Sequence, residues 1–255
     1  MSVGEQKQVT AAVLVIGNEI LSGRTHDTNL HYIAGALTER GIVVAEARVV
    51  PDDEAVIIAT VNALRARHTY VFTTGGIGPT HDDITSACIA KAFGVALHRH
   101  PVAVKLLEAH YEPGQLTEAR LKMTEVPVGA SLIDNPVSKA PGFRMENVFV
   151  MAGVPRIAKA MMDGVLPTLL EGPPIHATTV SCTLGEGVIA EGLGAIQADY
   201  PGLSVGSYPY FRAGQIGVSL VTRGTDRAAV DAATVAIKAL VEGLGGAAMV
   251  AEGMA

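Results

Sequence analysis

Only two cysteines, Cys88 and Cys182, occur in the 255 residues, far apart and with no Cys or His at metal-finger spacing. A disulfide framework and a zinc cluster are therefore excluded, and both thiols read as packed small hydrophobes. Charge is also scarce, since Asp, Glu, Lys and Arg make up 17% of the chain against a usual share of about 25%. The 19 basic and 25 acidic side chains leave a formal charge of −6. No Lys/Arg cluster forms a track for a phosphate backbone, so nucleic acid is not an expected partner. With 49% hydrophobic residues beside so little charge, part of the surface is expected to be covered by another copy, as a homo-oligomer such as a dimer or trimer. Long apolar runs are missing too. The run Ala11–Ile16 is far short of the roughly 20 residues of a membrane helix, so no membrane is expected as a partner. No small-residue cleavage site follows it, only Gly17-Asn18-Glu19, and a cytoplasmic location is expected.

What is present is alternation. Through the first 170 residues, short apolar runs alternate with helix-period segments, the pattern of βαβ units around a mainly parallel sheet. Strands are predicted at Ala11–Ile16, Ile42–Val50, Tyr70–Thr73, Val95–His98, Ser131–Asp134, Gly142–Met145 and Val148–Met151. Helices are predicted at Thr28–Arg40 with Asp27 as cap, from Pro51-Asp52-Asp53-Glu54 to Arg67, at Asp82–Phe93, from Pro101, over Glu112–Thr124 with a break at Pro113-Gly114, and at Pro155–Leu170. Gly172-Pro173-Pro174 marks a linker, because neither proline extends a helix. Two domains follow, 9–172 and 173–246, the second reading β, α, β, β, α as a small α+β module. The first eight and last ten residues are expected to lack order.

The strongest local signal is Thr73-Thr-Gly-Gly-Ile-Gly-Pro-Thr-His-Asp-Asp83, which leaves a strand and opens a helix. Gly75, Gly76 and Gly78 let the backbone turn sharply and approach a ligand, and free amides at a helix start suit a phosphate. The spacing matches neither a Rossmann nor a P-loop fingerprint, so neither a dinucleotide redox cofactor nor a nucleoside triphosphate is implied. Asp82 and Asp83 would repel that phosphate unless a hard divalent cation bridged them, although two aspartates at a helix start also simply favour its dipole. Thr74, Pro79 and Thr80 belong to the same turn.

A second cluster, Gly17-Asn-Glu-Ile-Leu-Ser-Gly-Arg-Thr-His-Asp-Thr-Asn29, ends the first strand. Loops after neighbouring strands of an open α/β sheet share one crevice, so this segment should face the glycine turn. Glu19 is a further candidate metal ligand or general base, Ser22, Thr25 and Asn29 candidate phosphate donors, and Arg24 a neutralising charge; each equally suits an ordinary loop or cap. Asn135–Phe143 with Lys139, and Met151–Arg156 with Gly153, add two more Gly/Pro-bearing loops. Among the histidines only His81, beside Asp82, stands out, and a solvated turn residue accounts for it as well.

Gly17-Asn-Glu-Ile-Leu, Gly23, Asn29, Thr74–Thr85, Ala140-Pro-Gly142 and Gly153-Val-Pro155, in this order, resemble the amino-terminal domain of the competence/damage-inducible protein A (CinA) family over about Val9–Leu170. The same domain type resembles the MoaB/MogA molybdopterin-binding proteins and the amino-terminal domain of eukaryotic FAD synthases. The resemblance implies a three-layer α/β/α domain and an oligomer, with Asp83 matching the aspartate after the glycine turn in the molybdopterin proteins. It implies divalent-metal-dependent hydrolysis of ADP-ribose or FAD, and for residues 176–244 a KH-like module. Residues 173–255 hold four basic and seven acidic side chains, the wrong sign for an RNA clamp. No amidase domain of the longer CinA proteins is expected in this short form. Met151-Ala152 replaces a usual Leu-Pro, and Lys139 a usual small residue.

Two functions follow. The first is hydrolysis of a nucleotide pyrophosphate, with Asp83, Asp82 and Glu19 as catalytic residues and ligands of Mg, Mn, Co or Ni. Gly17, Asn18, Ser22, Asn29, Thr74, Gly75, Gly76, Gly78, Pro79, Thr80, Lys139 and Gly153 are then the substrate-binding residues. The second is the binding of a pterin phosphate such as molybdopterin without cleavage.

Overall fold

The computed structural model describes residues 8–212 and 214–253. Seven residues of the amino-terminal segment expected to lack order therefore lie outside it. The chain divides into two compact units at Gly172/Pro173.

The first unit runs β1 (Thr10–Ile16), α1 (Asn18–Leu21), α2 (Asn29–Thr38), β2 (Val43–Val50), α3 (Glu54–Arg65), β3 (Tyr70–Thr74) and α4 (Thr85–Ala92). It continues through β4 (Leu97–Arg99), α5 (Pro101–His110), α6 (Glu118–Leu121), β5 (Glu125–Pro127), β6 (Ser131–Ile133), β7 (Gly142–Met145), β8 (Val148–Met151) and α7 (Pro155–Val165). Six strands form one sheet in the order β2-β1-β3-β8-β7-β6. The first three junctions are parallel, and β8-β7-β6 is antiparallel.

Alternation along β1 builds the three layers. Ala11, Val13 and Val15 face Ile33 and Leu37 of α2 and Met161, Met162 and Val165 of α7. Ala12, Leu14 and Ile16 face Ile57, Val61 and Leu64 of α3 and Cys88 and Ile89 of α4. Successive strand residues point to opposite faces, so a strand apolar at every position has to lie between two helix layers. Phe72 and Phe149 stack across β3 and β8 with centroids 5.0 Å apart, each burying an apolar ring for about 1.5–3 kcal/mol.

Several boundaries differ from the predicted ones for identifiable reasons. Helix α4 starts at Thr85, not Asp82, because the Thr80 amide donates to the Asp83 carboxylate at 2.8 Å and closes a separate turn over 80–83. Only Glu118–Leu121 of the predicted Glu112–Thr124 helix is α-helical, capped by Thr117 and followed by a 3₁₀ turn at Lys122–Thr124; Gly114 at φ 83° breaks the segment before it. Helix α7 passes into a 3₁₀ turn at Leu166–Thr168, as Pro167 has no amide to continue it.

The second unit comprises β9 (His176–Cys182), α8 (Glu186–Asp199), β10 (Ser204–Arg212), β11 (Gln215–Gly224), α9 (Arg227–Gly243) and β12 (Met249–Glu252). Its sheet has the antiparallel order β10-β11-β9-β12. Ile189, Ile237 and Val241 of the helices pack on Val180, Cys182, Val218 and Leu220. Strand β12 corrects the expectation of a disordered carboxyl terminus, since it pairs with β9 from Met249 to Glu252.

Candidate functional site

Loops leaving β1, β3 and β8 close on one another at the carboxyl edge of the first sheet, and glycine permits it. A Cβ on Gly75, whose φ is 103°, would lie 2.1 Å from the Ile16 carbonyl oxygen, and one on Gly153 would lie 3.2 Å from Gly75 Cα. The Thr85 hydroxyl donates to the Gly75 carbonyl at 3.0 Å, and the Asn29 amide donates to the Gly153 carbonyl at 2.8 Å. Backbone hydrogen bonds fix the ends of the turn, Gly75 N–H to Met151 O at 3.2 Å and Thr85 N–H to Gly76 O at 3.0 Å. Between them, the amides of Gly76, Ile77 and Gly78 have no protein acceptor among the described residues. An amide without a partner must find one in water or in a ligand.

These loops surround a cleft of about 540 Å³ whose walls include Glu19, Thr25, Gly75, Gly76, Gly78 and Asp83. Pro79, Met123, Asn135, Gly153 and Ile157 complete much of the remainder. The two carboxylates each lie over a glycine: a Cβ at Gly17 would be 2.6 Å from both Glu19 carboxylate oxygens, and one at Gly78 would be 2.7 Å from Asp83 Oδ2. Asp83 is held by Thr80, whose amide and hydroxyl both donate to Oδ2.

The structure thus brings Glu19, Gly75, Gly76, Gly78, Pro79, Asp83 and Gly153 to one cleft, while other predicted site residues are elsewhere. Asp82 does not line the cleft and its side chain is 61% exposed, 3.9 Å from an almost fully solvated His81. Its carboxyl is held below the usual carboxylate range, chiefly by the Thr80 side chain, then by its own amide and by the charges of His81 and Lys122. Among the described residues no three His, Cys, Asp or Glu side chains gather as a metal-holding group, so the set Glu19, Asp82 and Asp83 is not assembled. Ser22 donates to the Glu19 carbonyl at 3.3 Å, and the Asn18 amide is taken by Asp52 at 2.9 Å. Gly17 lies beneath Glu19, Thr74 is buried within the sheet, and Thr80 and Asn29 act as braces. Lys139 has a left-handed backbone, φ 63°, and lies off the cleft.

Sequence reasoning passed over Met123, Ile157 and Lys122. The ammonium of Lys122 donates to the Thr80 carbonyl. It follows the α6 segment, where no glycine or proline signal separates it from an ordinary helix. Asn135 lay within a noted stretch, but its task was not legible: it is 2% exposed and ties its own loop, donating to Ser138 Oγ at 2.6 Å and the Ala140 carbonyl at 2.7 Å.

Two carboxylates on one cleft suit a hard dication that takes its remaining ligands from phosphate and water, as magnesium does. The three unpartnered amides of Gly76, Ile77 and Gly78 suit a phosphate. A glycine turn with unpartnered amides at the carboxyl edge of a three-layer α/β/α sheet defines the class of protein, and comparison with known proteins gives the family.

The chain belongs to the family described as "Probable molybdopterin binding domain", whose profile matches residues 12–171, within its CinA amino-terminal branch. Residues 174–245 match the profile described as "FAD synthase, middle domain". A protein of Archaeoglobus fulgidus is 34% identical over 197 residues, 77% of this chain and 84% of its own length. A CinA-like protein of Desulfosudis oleivorans is 34% identical over 229 residues, 85% of this chain but 55% of that protein, so this chain spans about half of it. Among solved structures, the protein CinA of unknown function from Thermoplasma acidophilum matches with 34% identity and a TM-score of 0.60. The match covers 63% of this chain and 98% of that one. Among the described residues no helix is long and apolar enough to cross a membrane.

Proposed function

We propose that the first unit binds a phosphate-bearing nucleotide in this cleft and hydrolyses its pyrophosphate, with ADP-ribose or FAD as the substrate class. The observation that carries the proposal is the placement of the unpartnered Gly76, Ile77 and Gly78 amides beside a cleft lined by both Glu19 and Asp83. The amides hold negative charge on the phosphate without having to reorganise. Asp83, pinned by Thr80, and Glu19 are the side chains that would hold a divalent cation. A bound cation polarises a phosphoryl oxygen and makes a water acidic enough to act as nucleophile near neutral pH. Met123, Ile77 and Ile157 give the cleft an apolar wall suited to a planar heterocycle.

Incubation with ADP-ribose and with FAD in the presence of Mg, Mn, Co or Ni should release AMP, and Glu19→Gln should reduce the release by about a hundredfold or more. No AMP with any metal overturns the proposal.

A second reading, retention of a pterin phosphate such as molybdopterin without cleavage, is favoured by the exposed position of Asp82, which leaves fewer carboxylates for a metal. Calorimetry separates the two, since tight pterin binding without turnover on either nucleotide supports retention.

A further inference from the structure

The described side chains that line the large cleft include two carboxylates, Glu19 and Asp83, and no Lys, Arg or His. An anion entering it meets negative charge first. Arg24 and Arg156 are exposed and, like Lys139, none of them lines the cleft. Lys122 is placed differently. Its ammonium donates to the carbonyl of Thr80, the residue whose amide and hydroxyl hold Asp83. With Asp83, Gly78 and Ile77 it also lines a small cavity of about 40 Å³ against the turn. A lone pair on a carbonyl could be satisfied by water, whereas this contact fixes a full positive charge beside the unpartnered amides.

We infer that Lys122 is a positioning and specificity residue, the built-in countercharge that lets the Gly76–Gly78 turn accept a polyanionic phosphate beside Asp83 and Glu19. The inference rests on the phosphate-binding reading above and deepens it. Lys122 acts on the bound anion through the turn and through its field, because its hydrogen-bonding partner is the Thr80 carbonyl and not the ligand. Such a charge strengthens binding of anions in proportion to their charge and does so less as salt screens it. It therefore ranks ligands: a pyrophosphate diester or inorganic pyrophosphate gains more than a monoanionic ligand of equal size.

The test compares wild type, Lys122→Gln and Lys122→Arg in the full chain, by calorimetric titration with ADP-ribose and with inorganic pyrophosphate at several salt concentrations. Lys122→Gln keeps a donor for the Thr80 carbonyl and removes the charge. Wild-type affinity should fall with rising salt, whereas Lys122→Gln should bind roughly tenfold more weakly at low salt with a flatter salt dependence, and Lys122→Arg should restore the wild-type slope. Thermal unfolding of the three proteins should agree within a few degrees. If wild type binds and Lys122→Gln matches it in affinity and salt slope, this inference is overturned while the function stands. If wild type binds neither probe, the phosphate-binding reading is overturned and this inference with it.

Discussion

Glycine does opposite things in the two sheets. In the second unit, Gly206 and Gly217 make room for the chain's own rings: a Cβ at Gly206 would lie 2.7 Å from Tyr208 Cε2, and one at Gly217 would lie 2.4 Å from Tyr210 Cζ. Those tyrosines use up the space that the missing side chains create. In the first unit, Gly75 lets backbone meet backbone at the Ile16 carbonyl, Gly76 and Gly78 make way for the polar Thr85 and Asp83 side chains, and the loops still leave a cleft edged by amides without protein acceptors among the described residues. Glycine content therefore does not mark a site; what occupies the vacated volume does.

Substitutions sharpen this contrast, and the largest effect belongs to Gly75. Gly75→Ala sets a Cβ against a carbonyl at a φ of 103°, so it should cost more than about 3 kcal/mol, read as a collapse of the urea midpoint. Next comes Gly217→Ala. The ring of Tyr210 can swing away, but the Cys182 carbonyl, 2.8 Å from the new Cβ, yields less readily. A loss of about 1–3 kcal/mol is expected, with phosphate affinity of the first unit unchanged. If Gly217→Ala abolished that affinity, the division of labour between the two glycine sets would be wrong. Asp83→Ala removes the acceptor of the Thr80 amide and hydroxyl and should cost about 1–2 kcal/mol together with AMP release. The smallest effect is expected for Asp82→Ala, with the urea midpoint unchanged and activity retained, because its side chain is largely solvated. Equal losses of activity in the two aspartate variants would show that exposure fails to separate their roles.

The same contrast explains what the sequence made legible. Strands β7 and β8 fall at the predicted Gly142–Met145 and Val148–Met151, because each element declares itself within a few residues. Helix α1 (Asn18–Leu21) was invisible: four residues have no period to read, and its Gly17 amide is fixed by Val50, far along the chain. Strand β12 is exposed along its whole length, so it lacks the apolar signal of a core strand and exists through its pairing with β9. At the cleft, the glycine turn and Glu19 were readable as motif and topology. Which of two adjacent aspartates turns inward was not, since it depends on whether Thr80 closes onto the side chain three residues later. Lys122 and Met123 reach the site only through tertiary placement, and nothing in their neighbourhood announces it.

The hydrogen bond from the Asn29 side chain to the Gly153 carbonyl joins residues 124 positions apart. It ties the start of α2 to the loop that follows β8, so this brace of the pocket is missing from a nascent or proteolysed fragment that stops short of Gly153. Under the proposed function, phosphate binding would in that sense report on complete synthesis of the domain.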